Sequence, residues 1–171
     1  MVMASRLLRL LKHRRLDEGD ARRALGAGAP SRIAARVASS EALHTGQIRV
    51  CIEAGLPLSY LRRAAPARER AVTMFGKLGV WDTEHNNGVL LYVLLAEQAI
   101  EIVADRGLAR RGEAGEWERI AAVMGQAFRA GRFEDGVNQG IDAVGALLQA
   151  NFERAPGQGN PNELPDEPMI R

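Results

Sequence analysis

Val89 to Ala96, V-L-L-Y-V-L-L-A, is apolar at every position and rich in branched side chains. A strand with one wet face alternates polar and apolar residues, and this run does not. It therefore reads as a strand buried on both faces, at the centre of a sheet covered on two sides. Ala99 to Ala104 reads as its neighbour, with Glu97-Gln98 at the tip of a tight hairpin. Because a hairpin reverses direction, the start of the first strand lies beside the end of the second. The polar loop Trp81–Asn87 and the tripeptide Asp105–Gly107 are thus expected to meet at one rim.

Upstream, Gln47 to Glu53 alternates, with Ile48, Val50 and Ile52 set against Gln47, Arg49, Cys51 and Glu53. That pattern predicts a half-covered strand nearer an edge. Before it, a helix is predicted from a Ser31 N-cap, with Ile33, Val37, Ala38 and Leu43 at helical spacing. His44-Thr45-Gly46 stops this helix, glycine being suited to a left-handed helix end. Leu56–Arg63 reads as a loop or short helical turn. Pro66 then opens a helix with a buried stripe of Ala71, Val72, Phe75 and Leu78, ended by Gly79. A strand–helix–strand unit has a right-handed crossover and parallel strands. His44–Gly46 is therefore expected on the same rim as Trp81–Asn87 and Asp105–Gly107. Trp117, Ile120, Ala121, Met124, Ala127 and Phe128 form one further helical stripe, closed at Gly131. Phe133, Val137, Ile141, Val144, Leu147, Leu148 and Phe152 form another, with Glu134 and Asp135 at the positive end of its dipole. The fold class is α/β: a small mixed β-sheet sandwiched between helices (αβα), with a strand–helix–strand unit, a β-hairpin and two C-terminal helices.

Three segments are expected: a basic amphipathic leader and linker (1–29), the α/β domain (30–154), and an extended or disordered tail (155–171) rich in Pro, Gly, Asn and charge. A chain of 171 residues, 46% hydrophobic and 26% charged, can form one domain with a proper core. Net charge is only +2 but uneven. Residues 1–36 hold nine Lys/Arg against Asp17, Glu18 and Asp20, which points to an anionic partner or to a leader docked on its own body. In the leader, Leu7, Leu8, Leu10 and Leu11 are interleaved with Arg6, Arg9, Lys12, Arg14 and Arg15. A helix this short must dock on something, so the leucines are expected to be buried on the body or on a partner. The partner is a protein or an anionic membrane surface. Nucleic acid is not expected, because no aromatic residue is interleaved for base stacking. The oligomeric state is left open. The single cysteine, Cys51, excludes an intramolecular disulfide and reads as a small buried thiol. No apolar run approaches the roughly 20 residues of a membrane span. Arg6, Arg9 and Lys12 interrupt what would otherwise be a signal-peptide core. The expected location is the cytoplasm, with peripheral attachment at the inner face of the membrane as a further option.

The combination H-T-G-Q-I-R-V, R-E-R-A-V-x-x-F, W-D-T-E-H-N-N-G-V-L-L-Y-V-L-L, E-I-V-A-D-R-G and F-R-A-G-R-F-E-D-G-V-x-x-G-I resembles the TPM domain family over about residues 31–152. That resemblance implies a single α/β domain with a small mixed sheet between helices. It also implies two activities to weigh: phosphatase activity, ascribed to a plant member, and calcium binding, ascribed to some domains. The chain departs from the family pattern at two places. Asn87 stands where many relatives have aspartate, and Ala96-Glu97 stands where many have an Asp-Asp pair.

A calcium site needs several oxygen ligands, usually with two or more carboxylates. The candidates at the rim are Asp82, Glu84 and Asp105 with the amides of Asn86 and Asn87. His85 and His44 would adapt such a site to zinc or manganese. Ca²⁺ or another divalent ion is the only cofactor expected. The sequence has no G-x-S-x-G, P-loop, H-E-x-x-H or Rossmann fingerprint. The remaining enzymatic scheme is metal-assisted phosphate-ester hydrolysis of acid-phosphatase type, with Arg106 steadying phosphate oxygens and His85 as proton donor. The preferred expectation is a non-catalytic interaction or assembly domain. Its contacts would come from the leader and from the rim residues His44, Thr45, Trp81, His85 and Arg106.

Overall fold

The structure, a computed structural model, describes residues 2–111 and 115–171, with side chains from residue 6 onward. In chain order the helices and strands are Val2–Arg15 (α1), Glu18–Leu25 (α2), Ala29–Glu41 (α3), Gln47–Glu53 (β1), Leu58–Arg62 (α4), Ala67–Lys77 (α5), Gly88–Leu94 (β2), Ala99–Ala104 (β3), Arg106–Ala109 (α6), Glu116–Arg129 (α7), Phe133–Asn151 (α8) and Met169–Ile170 (β4). The strands form one mixed sheet in the order β3-β2-β1-β4, with β1 parallel to β2 and β4, and β3 antiparallel to β2. Helices cover both faces, giving an αβα sandwich.

The uninterrupted apolar run owes its composition to its place. All seven residues of β2 are buried. Val89, Leu91 and Val93 pack with α3, α7 and α8, while Leu90, Tyr92 and Leu94 pack with α5. Burial of each such side chain contributes about 1.5–3 kcal/mol. The strand stops at Leu94, two residues short of the sequence expectation. Leu95–Glu97 forms a single 3₁₀ turn, and Gln98 closes the hairpin at φ +51°.

Strand β1 corrects the sequence reading in an instructive way. Its alternation is real, but all seven residues are buried, and β4 occupies the edge beyond it. Ile48, Val50 and Ile52 face α3 and α8. The polar side is covered too, and Gln47, Arg49 and Glu53 each find partners there, although Arg49 Nε itself has none. The Gln47 Oε1 accepts the Glu163 and Leu164 N–H groups at 3.0 and 3.1 Å. Arg49 donates to the carbonyls of Pro165 and Glu167. Glu53 takes a two-pronged pair from Arg70, at 2.7 and 2.5 Å, and the Tyr92 hydroxyl at 2.8 Å. These bonds stitch the tail to the body. Asn160 adds bonds to the carbonyls of Glu41 and His44, and β4 exchanges backbone bonds between Arg171 and residues 52 and 54.

Three local expectations change as well. Helix α3 begins at Ala29 after Gly28, with Pro30 in its first turn, so Ser31 is inside the helix rather than its cap. Its buried stripe is Ile33, Val37 and Glu41, while Ala38 and Leu43 are exposed. On α5 the buried residues are Ala67, Arg70, Ala71 and Met74; Val72 is half exposed, because Arg70 reaches inward to Glu53 and sets the rotation of the helix. Gly46 does not adopt a left-handed conformation. A Cβ there would lie 2.4 Å from the Leu148 side chain and 3.1 Å from the Asn87 carbonyl, so the residue is small because α8 crosses directly over it.

Candidate functional site

The parallel β1–β2 pair and the antiparallel hairpin bring three segments to one rim. Gln47 pairs with Gly88, and the Asp105 N–H donates to the Gly88 carbonyl at 2.9 Å. Thr83 turns the loop before β2: its carbonyl accepts the Asn86 N–H and its hydroxyl the Asn87 N–H, both at 3.1 Å. Asn86 sits at φ +51°, a left-handed conformation that asparagine tolerates better than most residues. Asn87 Nδ2 then donates to the Thr45 hydroxyl at 3.3 Å, and the Gly107 N–H donates to the Asn86 carbonyl at 2.8 Å. A Cβ on Gly107 would fall 2.5 Å from that same carbonyl, so the approach of the third segment requires glycine.

Within this rim the candidate side chains separate into buried and exposed sets. Asn87 and Asp105 are buried, and each leaves one oxygen, Asn87 Oδ1 and Asp105 Oδ2, without a hydrogen-bond partner. The other Asp105 oxygen caps α6 by accepting the Arg106 N–H at 2.6 Å. Asp82, Glu84, His85, Asn86 and Arg106 are exposed. The Glu84 N–H is held at 2.9 Å by the carboxylate of Glu163 from the tail. Trp81 is 54% exposed, its indole N–H donating to the Gly76 carbonyl. Among the described residues, no three His, Cys, Asp or Glu side chains converge as a metal-holding group.

His44 lies beneath the rim and faces inward. Its Nδ1–H donates to the Gly46 carbonyl at 3.2 Å, and Nε2 accepts from the Ser40 hydroxyl at 3.1 Å. Burial lowers its pKa to about 4, so at neutral pH it is an uncharged, satisfied member of the α3–α8 packing. Burial likewise pushes the Cys51 thiol up to about 12, which keeps it protonated and unreactive.

On the outer side of the rim, His85, Asn86, Arg106, Gly107, Arg110 and Arg111 line an open depression of about 400 Å³. Arg111 is fixed, donating to the Asn151 carbonyl at 2.7 Å with its guanidinium 4.6 Å from the Phe152 ring centre. Arg106 and Arg110 are exposed and have no ion-pair partner among the described residues. The sequence reading placed Thr83 on the rim only as part of its loop, with no role of its own, and missed Arg110, Arg111 and Glu163. Arg110 was within reach of it, since once a helix opens at Arg106 the residue four positions on shares its face.

The chain was compared with known proteins. No curated protein matches it. Among solved structures it is similar to the NMR structure of the BA42 protein from the psychrophilic bacterium Bizionia argentinensis, with a TM-score of 0.72 and 24% identity, covering 84% of this chain and 92% of that one. This likeness supports the fold alone. The family model of the TPM domain matches residues 20–147, most of the chain, including His44–Gly46, Trp81–Asn87 and Asp105–Gly107. The chain belongs to the TPM domain family.

Proposed function

We propose that this chain is a non-catalytic interaction domain whose working surface is the rim, and that a divalent cation, Ca²⁺ foremost, binds weakly there. The observation that carries this reading is the pair of buried, unpartnered oxygens Asn87 Oδ1 and Asp105 Oδ2 on adjoining segments of the rim. Buried polar atoms are rarely left without a partner, and oxygen atoms on neighbouring turns are what a hard cation takes. A single buried carboxylate supplies little charge, hence the weak affinity. Asp82 and Glu84 lie on the same loop and are exposed, and in this reading they add outer contacts.

The test is a melting scan of the purified chain with calcium, magnesium, manganese and zinc. At about ten times the dissociation constant, an ion that binds the folded state adds about 1.4 kcal/mol, which raises Tm by about 3–6 °C in a domain of this size. Asp105→Asn keeps the cap on α6 and removes the charge, so the calcium-dependent rise should vanish in that variant. No shift with any ion would make the rim a purely protein-built polar surface.

A second reading, metal-assisted phosphate-ester hydrolysis, draws on the depression shared by His85 and Arg106. It requires hydrolysis of p-nitrophenyl phosphate that needs a divalent ion and is lost in both His85→Ala and Arg106→Ala. Absence of turnover alongside a calcium-dependent Tm would leave the interaction domain as the function.

A further inference from the structure

Helix α1 is fastened to the body by its polar side, and its leucines are left outside. Arg9 donates to the Glu97 carboxylate at 2.6 Å and to the Ala65 carbonyl at 2.7 Å. His13 is buried: its Nδ1 accepts the Leu56 N–H at 2.9 Å and its Nε2–H donates to Glu97 at 2.9 Å. Residues 9 and 13 are one turn apart and define the inward face. Of the two surfaces expected to bury the leucines, the body or a partner, the body is therefore excluded for Leu7, Leu8 and Leu11. Leu7, Leu8 and Leu11 point the other way and are 58, 67 and 46% exposed, with Leu58 of α4 beside them at 39%. A groove of about 570 Å³ runs between α1 and α4, with Leu10, Leu58 and Leu61 in it and Arg6, Arg14 and Arg62 at its margin.

We propose that this face docks on an anionic lipid bilayer. The occupant is argued from charge. Helix α1 contains no Asp or Glu, and Arg6, Lys12, Arg14, Arg15 and Arg62 have no ion-pair partner among the described residues. The cations flank the leucines and are long enough to keep their heads at the phosphate level while the leucines enter the acyl boundary. The face is also presented by a helix already anchored at Arg9 and His13, so membrane contact does not have to order it first. A second copy is a poor occupant, because face-to-face pairing would bring these unpaired cations together without a carboxylate between them. No helix among the described residues is long and apolar enough to cross a membrane, so the contact is peripheral.

The experiment is flotation of the full chain with vesicles of phosphatidylcholine alone and of phosphatidylcholine mixed with phosphatidylglycerol. Binding is expected to the mixed vesicles, weakening as salt is raised. Each basic residue near an anionic surface contributes about a fivefold gain, so Arg14→Glu with Arg15→Glu should reduce binding by at least about twentyfold. Leu8→Glu with Leu11→Glu should abolish it. All four positions are exposed, and an unchanged circular dichroism spectrum verifies that the variants fold. Three results would overturn the proposal: no binding to mixed vesicles, binding that survives both pairs of substitutions, or a dimer in solution that Leu8→Glu dissociates. Asp105→Asn should bind vesicles like the unaltered chain, which keeps this test separate from that of the rim.

Discussion

On one face of the sheet, Ile48, Val50, Val89, Leu91 and Val93 meet α3, α7 and α8 in one apolar cluster. On the other, Gln47, Arg49 and Glu53 point into the protein beside Cys51, Leu90 and Tyr92, and are matched one by one by Arg70, the Tyr92 hydroxyl and backbone groups of the tail. The apolar face requires only volume and shape, which many residue combinations supply. The polar face requires named partners, since a buried charge or amide without one is costly. It therefore specifies something the apolar face cannot, namely the path of residues 160–171 and the rotation of α5.

The largest expected effects test this contrast directly. Glu53→Ala leaves the buried Arg70 guanidinium uncompensated and should cost about 3–5 kcal/mol. Ile141→Ala on the apolar face should cost about 2–5 kcal/mol through the cavity it leaves. The two losses are similar in size and differ in what repairs them. Glu53→Leu combined with Arg70→Met should recover part of the stability in urea denaturation, because an apolar pair of similar volume replaces the ion pair while the Tyr92 hydroxyl loses its acceptor. If the double variant is as unstable as Glu53→Ala alone, the polar face is not governed by charge pairing.

A smaller effect is expected at Gln47. Gln47→Leu removes the acceptor for two tail N–H groups and should destabilise by about 1–3 kcal/mol. Hydrogen exchange should quicken at Glu163 and Leu164 while the amides of α8 keep their protection. Equal quickening in both places would mean that the tail and the apolar core open as one unit.

The smallest effect is one of pH, read at Glu41. Its carboxyl, buried at the end of α3, accepts the Ile48 N–H at 2.7 Å, and burial raises its pKa from 4.5 to about 8. The folded state therefore holds a proton that the unfolded chain releases. Stability from this group is full below pH 4.5 and is lost as pH rises through 8. His44 works in the opposite direction: its folded value, about 4, lies below 6.5, so its contribution is full above 6.5 and is lost as pH falls through 4. Between pH 6.5 and 8 only the Glu41 loss is still developing, and Tm should fall across that window. Glu41→Gln, which still accepts from Ile48, should flatten the fall. A slope unchanged in the variant would locate the titrating group elsewhere.

The rim divides in the same way. That three segments meet there follows from a hairpin and a right-handed crossover, both visible as patterns in one dimension. Which side chains face each other at that rim was not visible. Asp82 and Glu84 sit at the exposed end of their loop while Asp105 turns inward as a helix cap, and spacing along a loop does not encode direction. His44 was assigned to the rim by position, yet its ring turns toward Ser40 and the underside of the sheet.

By itself the sequence determined the class of fold, the doubly covered central strand, the hairpin and the apolar stripes of α7 and α8. Each of these is a local period of apolar residues, and burial acts on that period wherever the chain places it. Only the tertiary structure decided that the polar side of β1 is buried, that the tail supplies its partners, and that α1 is held by Arg9 and His13 with its leucines turned outward. The physical reason is that a polar side chain carries the same letters whether it meets water or a partner far away in the sequence. Gln47 and Glu163, like Arg9 and Glu97, are joined only once the backbone has brought them within hydrogen-bonding distance.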